Sequence, residues 1–148
     1  MLITLILIII IVVCLILILY VTTYNNLAIY KTKIEKAESI IDDALREKYD
    51  IICKLNIQIK KEVTKKDYLK DYIELKDKRI TNYEMDRKLT EAMNIIMEVK
   101  NDHEKLNNKE FNELLKKIDE LNETLASSKT YYNNNTSKLN QIIRKFPS

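Results

Sequence analysis

The sequence predicts an all-α protein in which an N-terminal transmembrane helix is followed by an antiparallel bundle of three or four helices, two of them long. The 148-residue chain contains no Gly and one Pro, and tight hairpins and phosphate-binding loops need glycine. The first thirty residues have no charged side chain, whereas the rest of the chain has 25 Lys or Arg and 22 Asp or Glu. In that charged part, apolar residues recur every three or four positions, which is the period of an amphipathic helix.

The N-terminal segment predicts a membrane-spanning helix. All but three of residues 2–21 are Leu, Ile or Val, and a helix of this length spans about 30 Å, the thickness of the hydrocarbon core. A cleaved signal peptide fits less well, because the apolar run is too long, no basic residue precedes it and no small-residue cleavage pattern follows it. We therefore expect a retained anchor at 1–22, contacting the lipid bilayer through residues 2–21, and a helical bundle over 23–148.

Basic residues near the membrane segment predict its orientation. Lys31, Lys33 and Lys36 follow the span, whereas no basic side chain precedes it. Because cytoplasmic flanks of membrane helices are enriched in Lys and Arg, we expect the C-terminal region to lie in the cytoplasm.

A first apolar seam predicts a long helix over about 24–63. A seam this narrow must be buried against another helix. It is interrupted once, at Lys48. Its members are Leu27, Tyr30, Ile34, Ala37, Ile41, Ala44, Ile51, Leu55 and Ile59.

Capping signals divide the middle of the chain. Thr64 with Asp67, and Thr81 with Glu84, resemble helix N-caps followed by an acid three residues later. They predict helices over about 65–80 and 82–100, or one helix kinked near Thr81.

The segment 101–108 is rich in Asn and predicts a loop, after which Asn107 with Glu110 caps the last helix. A second seam continues in phase through the Asn-rich stretch 133–137, so we expect one helix over 108–146. The first and last helices have similar lengths and should pack antiparallel. Since both rise 1.5 Å per residue, facing residues have numbers that add up to about 170.

This antiparallel arrangement places polar side chains together near the membrane. A buried Asn is costly unless it is hydrogen-bonded, so it often fixes helix register. We predict a hydrogen-bonded structural layer, with a partner-binding patch as the alternative. Its members are Tyr24, Asn25, Tyr30, Tyr132, Asn133 and Asn140.

Cysteine and histidine are too sparse to predict a metal site or a disulfide. Cys14 lies within the membrane segment and cannot meet Cys53, and His103 is the only His. Two cysteines and one histidine so placed do not form a zinc-binding set. The net charge of +3 gives no concentrated basic face for nucleic acid.

Four carboxylates form the densest acidic group, but they predict a solvated helix face. Asp42, Asp43, Glu47 and Asp50 spread along one stripe with Arg46 nearby, whereas catalytic carboxylates need a desolvated pocket. We therefore expect no enzymatic activity and no cofactor.

Several segments have an order and spacing that resemble a known family. They are Tyr20, Tyr24–Leu27, Ala37–Leu55, Tyr131–Asn133, Asn140, Ile143 and Phe146–Ser148. In these segments the chain is similar to the LemA family, and the resemblance covers roughly residues 17–63 and 103–148. It implies a bacterial single-span membrane protein with a long antiparallel helical bundle and no established enzymatic activity. The chain departs from the family pattern at Cys53–Lys54, where Pro-Asn is usual, and at Lys129 and Leu139, where Arg and an aromatic residue are common.

These observations predict an interaction or scaffold protein at the membrane surface, with an unidentified membrane or membrane-proximal protein as its partner. The alternative is a parallel coiled-coil rod of a cell-division or lysis assembly, in which identical chains pair through the same seams. The sequence leaves a homo-oligomer open.

Overall fold

The computed structural model describes residues 1–63, 68–77 and 80–145. Over these ranges all regular structure is helical, which confirms the predicted all-α class. The elements are α1 (Leu2–Glu62), α2 (Lys70–Ile73), a 3-10 helix (Glu74–Asp77), α3 (Asn82–Asp102), a second 3-10 helix (Glu104–Leu106) and α4 (Lys109–Lys145).

The chain divides into two compact units. The first unit contains Met1–Ala37 and Thr130–Ser148, and the second contains Glu38–Lys129. Two segments from opposite ends of the sequence therefore share the first unit, as the predicted return of the last helix requires. The remaining parts of α1 and α4 belong to the second unit, together with α2, α3 and both 3-10 helices.

Helix α1 is a single element of 61 residues, so it includes nearly all of both the predicted anchor at 1–22 and the helix predicted over about 24–63. The hydroxyls of Thr22 and Thr23 donate to the carbonyls of Ile18 and Leu19 at 2.8 and 2.9 Å, so these polar residues are accommodated within the helix. The side chains of residues 2–21 are exposed. Within the described ranges, α1 is the one helix long and apolar enough to cross a membrane, with a mean hydropathy of 3.8 in its most apolar window.

The core of the second unit is built on a buried face of α1 that is wider than the predicted seam. Here α1 buries Leu45, Tyr49 and Ile52 in addition to the members of the predicted seam from Ile41 to Ile59, because it contacts more than one element. The Tyr49 hydroxyl donates to the carbonyl of Ile73 in α2. The other elements contribute Leu69, Leu75, Leu89, Ala92, Ile96, Val99, Leu106, Phe111, Ile118 and Leu125 to the core.

Two polar contacts in the second unit show how its long helices are aligned. Lys48 Nζ on α1 donates to Asn122 Oδ1 on α4 at 2.8 Å, and the two residue numbers add up to about 170, as expected for antiparallel helices of equal rise. Asn112, close to the beginning of α4, accepts from Lys100 Nζ near the end of α3 at 2.8 Å. The antiparallel arrangement of α1 and α4 therefore follows the predicted register.

The start of α3 agrees with its capping signal. Thr81 is the N-cap, and its hydroxyl accepts from the backbone N–H of Glu84 at 3.2 Å. In the described part of the preceding segment, the predicted helix over 65–80 is reduced to α2 and the 3-10 helix that follows it. The proposed cap formed by Thr64 and Asp67 lies outside the described residues.

The start of helix α4 and its N-cap each lie one residue later than predicted. The side chain of Asn108, rather than Asn107, accepts from the backbone N–H of Phe111 at 2.9 Å. The helix then continues through 133–137 despite the weak helix propensity of Asn. Phe146, the last residue assigned to the predicted seam, lies outside the described residues.

Candidate functional site

A cavity of about 580 Å³ lies between α3 and α4, with α1 contributing one residue to it. All of its lining residues belong to the second unit. On α3 and α4 most of them recur every three or four residues, so that each helix presents one face. The lining residues are Lys48 from α1, Asp86, Thr90, Met93, Asn94 and Met97 from α3, and Leu115, Ile118, Asp119, Asn122, Leu125, Ala126 and Lys129 from α4.

Lys48 is the most unusual residue of this cavity. Its side chain is only 3% exposed, at a position where the apolar seam of α1 would otherwise continue. Its Nζ donates to Asn122 Oδ1 at 2.8 Å and lies 3.9 Å from Asp86 Oδ1. An ammonium has three N–H donors, and among the described residues Asn122 provides the one acceptor within hydrogen-bond distance.

Asp86 is shared between two cations. Its Oδ2 accepts from Lys129 Nζ at 2.6 Å, while its Oδ1 lies 3.9 Å from Lys48 Nζ. Asp86 therefore pairs more closely with the half-exposed Lys129 than with the buried Lys48. Within this trio the cavity has an excess of one positive charge.

Burial lowers the pKa of the Lys48 amine below its ordinary value of 10.5. The Asp86 carboxylate opposes this lowering, and the Lys129 ammonium adds to it. The direction of the shift shows that the loss of hydration around Lys48 exceeds the attraction that Asp86 supplies. The arrangement suits the recognition of a negatively charged group, which would supply the missing attraction.

All residues that line the cavity lie within the part of the chain that matches a known protein family. A family model described as the LemA family matches residues 37–148. The chain belongs to the LemA family. No curated protein and no solved structure matches it.

The extent of the LemA match differs from the resemblance seen in the sequence. It begins at residue 37, after the apolar segment, and extends to residue 148, so its bounds include the middle of the chain. The match therefore includes α2, α3 and the cavity, whereas the sequence resemblance was limited to the regions on either side. The match also includes Lys48 and Lys129, the two lysines of the cavity.

The six residues of the predicted polar layer all belong to the first unit. Tyr30 and Tyr132 are half-buried, and the other four are exposed. Among the described residues no direct side-chain hydrogen bond joins any two of the six, and the structural layer and the partner-binding patch both stay predictions. Asn140 follows seam residue Leu139 and is rotated by about 100° from it on the helix, which agrees with its exposure.

The polar residue that α4 does bury in the first unit is Asn135. Its side chain is 6% exposed, and its Nδ2 donates to the carbonyl of Tyr131 one turn earlier at 2.7 Å. The amide is thus satisfied within its own helix. Nearby on α1, the Lys33 ammonium lies 5.3 Å from the centre of the Tyr30 ring, at cation–π distance.

The remaining chemically notable residues form no site in the part of the chain that the structure describes. Asp42 pairs with Arg46 at 2.9 Å on an accessible face of α1, as expected for a solvated stripe. Cys14 is exposed and Cys53 is half-buried, and no disulfide joins them. His103 ends α3, and its Nδ1 contacts the carbonyl of Val99 at 2.9 Å. No group of three His, Cys, Asp or Glu side chains in these ranges has a geometry suited to a metal ion.

Sequence reasoning identified none of the cavity residues as a site. In the sequence, Lys48 interrupts an apolar seam, and a lysine at a seam position indicates a buried polar contact. The register expected for α1 and α4 places Asn122 opposite Lys48, so their contact could have been predicted. Asp86 and Lys129 gave no comparable signal, because their meeting depends on how α3 packs.

Proposed function

We propose that this LemA family member is a membrane-anchored interaction or scaffold protein of the bacterial membrane, without enzymatic activity of its own. The observation that carries the proposal is the continuity of α1. One helix bears both an exposed apolar segment of membrane-spanning length and the buried face on which the second unit is built. An anchor joined to its bundle by a continuous helix suits a protein that holds a binding surface near the bilayer.

The energetics of the apolar segment support a stable anchor. Leu, Ile and Val each favour insertion by roughly 0.3–0.6 kcal/mol near the centre of a membrane helix, so residues 2–21 gain on the order of 5–10 kcal/mol. Thr4 opposes this little, because its hydroxyl donates to the Met1 carbonyl at 2.6 Å. We propose a single-pass topology with the C-terminal region in the cytoplasm, supported by Lys31, Lys33 and Lys36.

A parallel coiled-coil rod of a cell-division or lysis assembly has less support. In such a rod, the seams of α1 and α4 would remain available for a second copy of the chain. In the second unit these seams are buried within one chain, and the contact between Lys48 and Asn122 is antiparallel. A homo-oligomer would therefore have to use other surfaces.

The test uses the full chain in native membranes. A photo-crosslinking residue replaces Tyr83, which is 81% exposed at the start of α3, and cross-linked proteins are identified by mass spectrometry. We expect one reproducible membrane or membrane-proximal partner. The matched control carries the same cross-linker and an Ile9→Lys, Ile10→Asp double substitution, which removes the anchor and should abolish that product.

Two outcomes would contradict the proposal. One is recovery of a mature protein that lacks residues 1–22 from the soluble fraction. The other is a cross-linked pattern dominated by identical chains joined at identical positions, which would favour the parallel rod. A reporter phosphatase fused after Ser148 tests the orientation separately, since activity outside the cytoplasm would reverse it.

A further inference from the structure

The cavity between α3 and α4 has the dimensions and composition of a small-molecule site. Such sites commonly enclose about 300–1,000 Å³ and combine apolar walls with a few convergent polar groups. This cavity measures about 580 Å³. Its polar residues are Lys48, Asp86, Thr90, Asn94, Asp119, Asn122 and Lys129, and its apolar walls include the methionines of α3.

The charges of the cavity indicate the chemistry of its ligand. Two lysines and two carboxylates line the cavity. Lys48 and Lys129 share the carboxylate of Asp86, and Lys129 holds the shorter contact. The second carboxylate, Asp119, is exposed, and among the described residues it forms an ion pair with neither lysine. Lys48 is consequently a buried cation that has one neutral acceptor, Asn122, within hydrogen-bond distance among the described residues. A buried ammonium is stabilised by a second negative charge with free oxygen lone pairs, and a carboxylate supplies both.

The walls indicate what is attached to that carboxylate. From Asn122 to Leu115 the cavity follows α4 for about 10 Å, or two helical turns. On α3 the same distance separates Thr90 from Met97, and Met93 lies between them. Methionine side chains are flexible and polarizable, so they adapt to apolar groups of varied shape. The cavity thus has a cationic end at Lys48 and Lys129 and a methionine-lined end, with the exposed Asn94 and Asp119 on the walls between them.

We propose that this cavity binds a small monocarboxylate with an unbranched apolar chain. The carboxylate lies against Lys48, with Lys129 and the Asn122 amide close by, and the chain extends past Met93 towards Met97. The proposal concerns the second unit alone, and it does not depend on the scaffold role proposed above.

Methionine methyl groups provide the test, because the chain contains only four methionines. Full-length protein with ¹³C-labelled Met methyls is placed in phosphatidylcholine nanodiscs and titrated with octanoate. We expect saturable NMR shifts at Met93 and Met97, which line the cavity, and none at Met85, which does not. Met1 precedes the apolar segment and reports octanoate that has merely entered the bilayer.

Neutral octanamide is the matched ligand control, since it keeps the chain and removes the charge. A hydrogen bond to a charged group is worth enough for octanoate to bind about tenfold more tightly. Lys48→Gln should remove this preference. The control variant Lys54→Gln, at an exposed lysine of the same helix, should retain it.

Three outcomes would overturn the assignment. They are equal affinity for octanoate and octanamide, unchanged octanoate binding by Lys48→Gln, and shifts confined to Met1. If Lys48→Gln fails to fold, Lys129→Gln replaces it, because it leaves Asp86 free to neutralise Lys48. That variant should also lose the preference for octanoate, and a retained preference would refute the proposal.

Discussion

Replacement of the buried Lys48 by methionine should stabilise the second unit. The lowered pKa of Lys48 shows that burial destabilises its charged amine more than the Asp86 carboxylate stabilises it. Methionine has a similar length and no charge, and Asp86 keeps its 2.6 Å contact with Lys129. Asn122, which loses its partner, is exposed and can bond to water. Exchanges of buried charges for apolar side chains have stabilised other proteins by 1–4 kcal/mol, and we expect about 1 kcal/mol here.

The same substitution should change how stability depends on pH. In the unfolded chain Lys48 has its ordinary pKa of 10.5, whereas in the folded chain its pKa is lower. Between these two values the unfolded state binds more protons, so the wild-type protein gains stability as pH rises through that window. Below this window Lys48 is protonated in both the folded and the unfolded state, so its destabilising effect no longer changes with pH. The advantage of Lys48→Met should therefore be largest near neutral pH and should shrink as pH approaches 10.5.

The assay is urea unfolding of the full chain in nanodiscs, followed by far-UV circular dichroism at a series of pH values. Lys54→Met is the control, because a substitution at this exposed position should change the free energy of unfolding by less than about 0.5 kcal/mol. Two results would refute the reasoning: a loss of more than about 1 kcal/mol at neutral pH, or an advantage of Lys48→Met that grows as pH rises.

Three further predictions concern the fold. Phe111→Ala, at a fully buried position, should lower the free energy of unfolding by about 3–5 kcal/mol, and a loss below 1 kcal/mol in the same urea assay would place this side chain outside the core. Thr81→Ala should cost about 1 kcal/mol through the lost N-cap bond to Glu84, whereas Thr81→Asp should retain stability because Asp also caps helices. In a chain without its natural cysteines, Leu27→Cys with Ile142→Cys should form a disulfide within one chain, and a disulfide-linked dimer on a non-reducing gel would contradict the antiparallel pairing.

Much of the fold follows from local patterns. The threonine before α3 and the spacing of apolar residues along α1 and α4 act within a few turns of helix, so they are visible in the sequence. The register of α1 against α4 follows from helix rise and length alone, and the contact between Lys48 and Asn122 agrees with it. The shortness of α2 was not predicted, because helical periodicity around Leu69 and Tyr72 does not reveal how the chain must turn there.

The cavity depends on longer-range packing and was not predicted. Asp86 and Lys129 are separated by 43 residues, and both carry ordinary surface side chains that resemble many others in the sequence. Their pairing requires the position of α3 against α4. The predicted polar layer depends on packing in the same way, since Asn140 is next to the seam residue Leu139 in the sequence but is exposed in the structure.

A buried lysine in a helical bundle has two physical explanations that make different predictions. If Lys48 fixes the register of α1 against α4, as single buried polar residues do in some coiled coils, then Lys48→Met should allow other registers and weaken the disulfide between positions 27 and 142. If Lys48 instead serves the cavity, the disulfide should form as before, while the preference for octanoate over octanamide disappears. We expect the second result, because the apolar core on both sides of Lys48, including Leu45 and Ile52, already specifies the register.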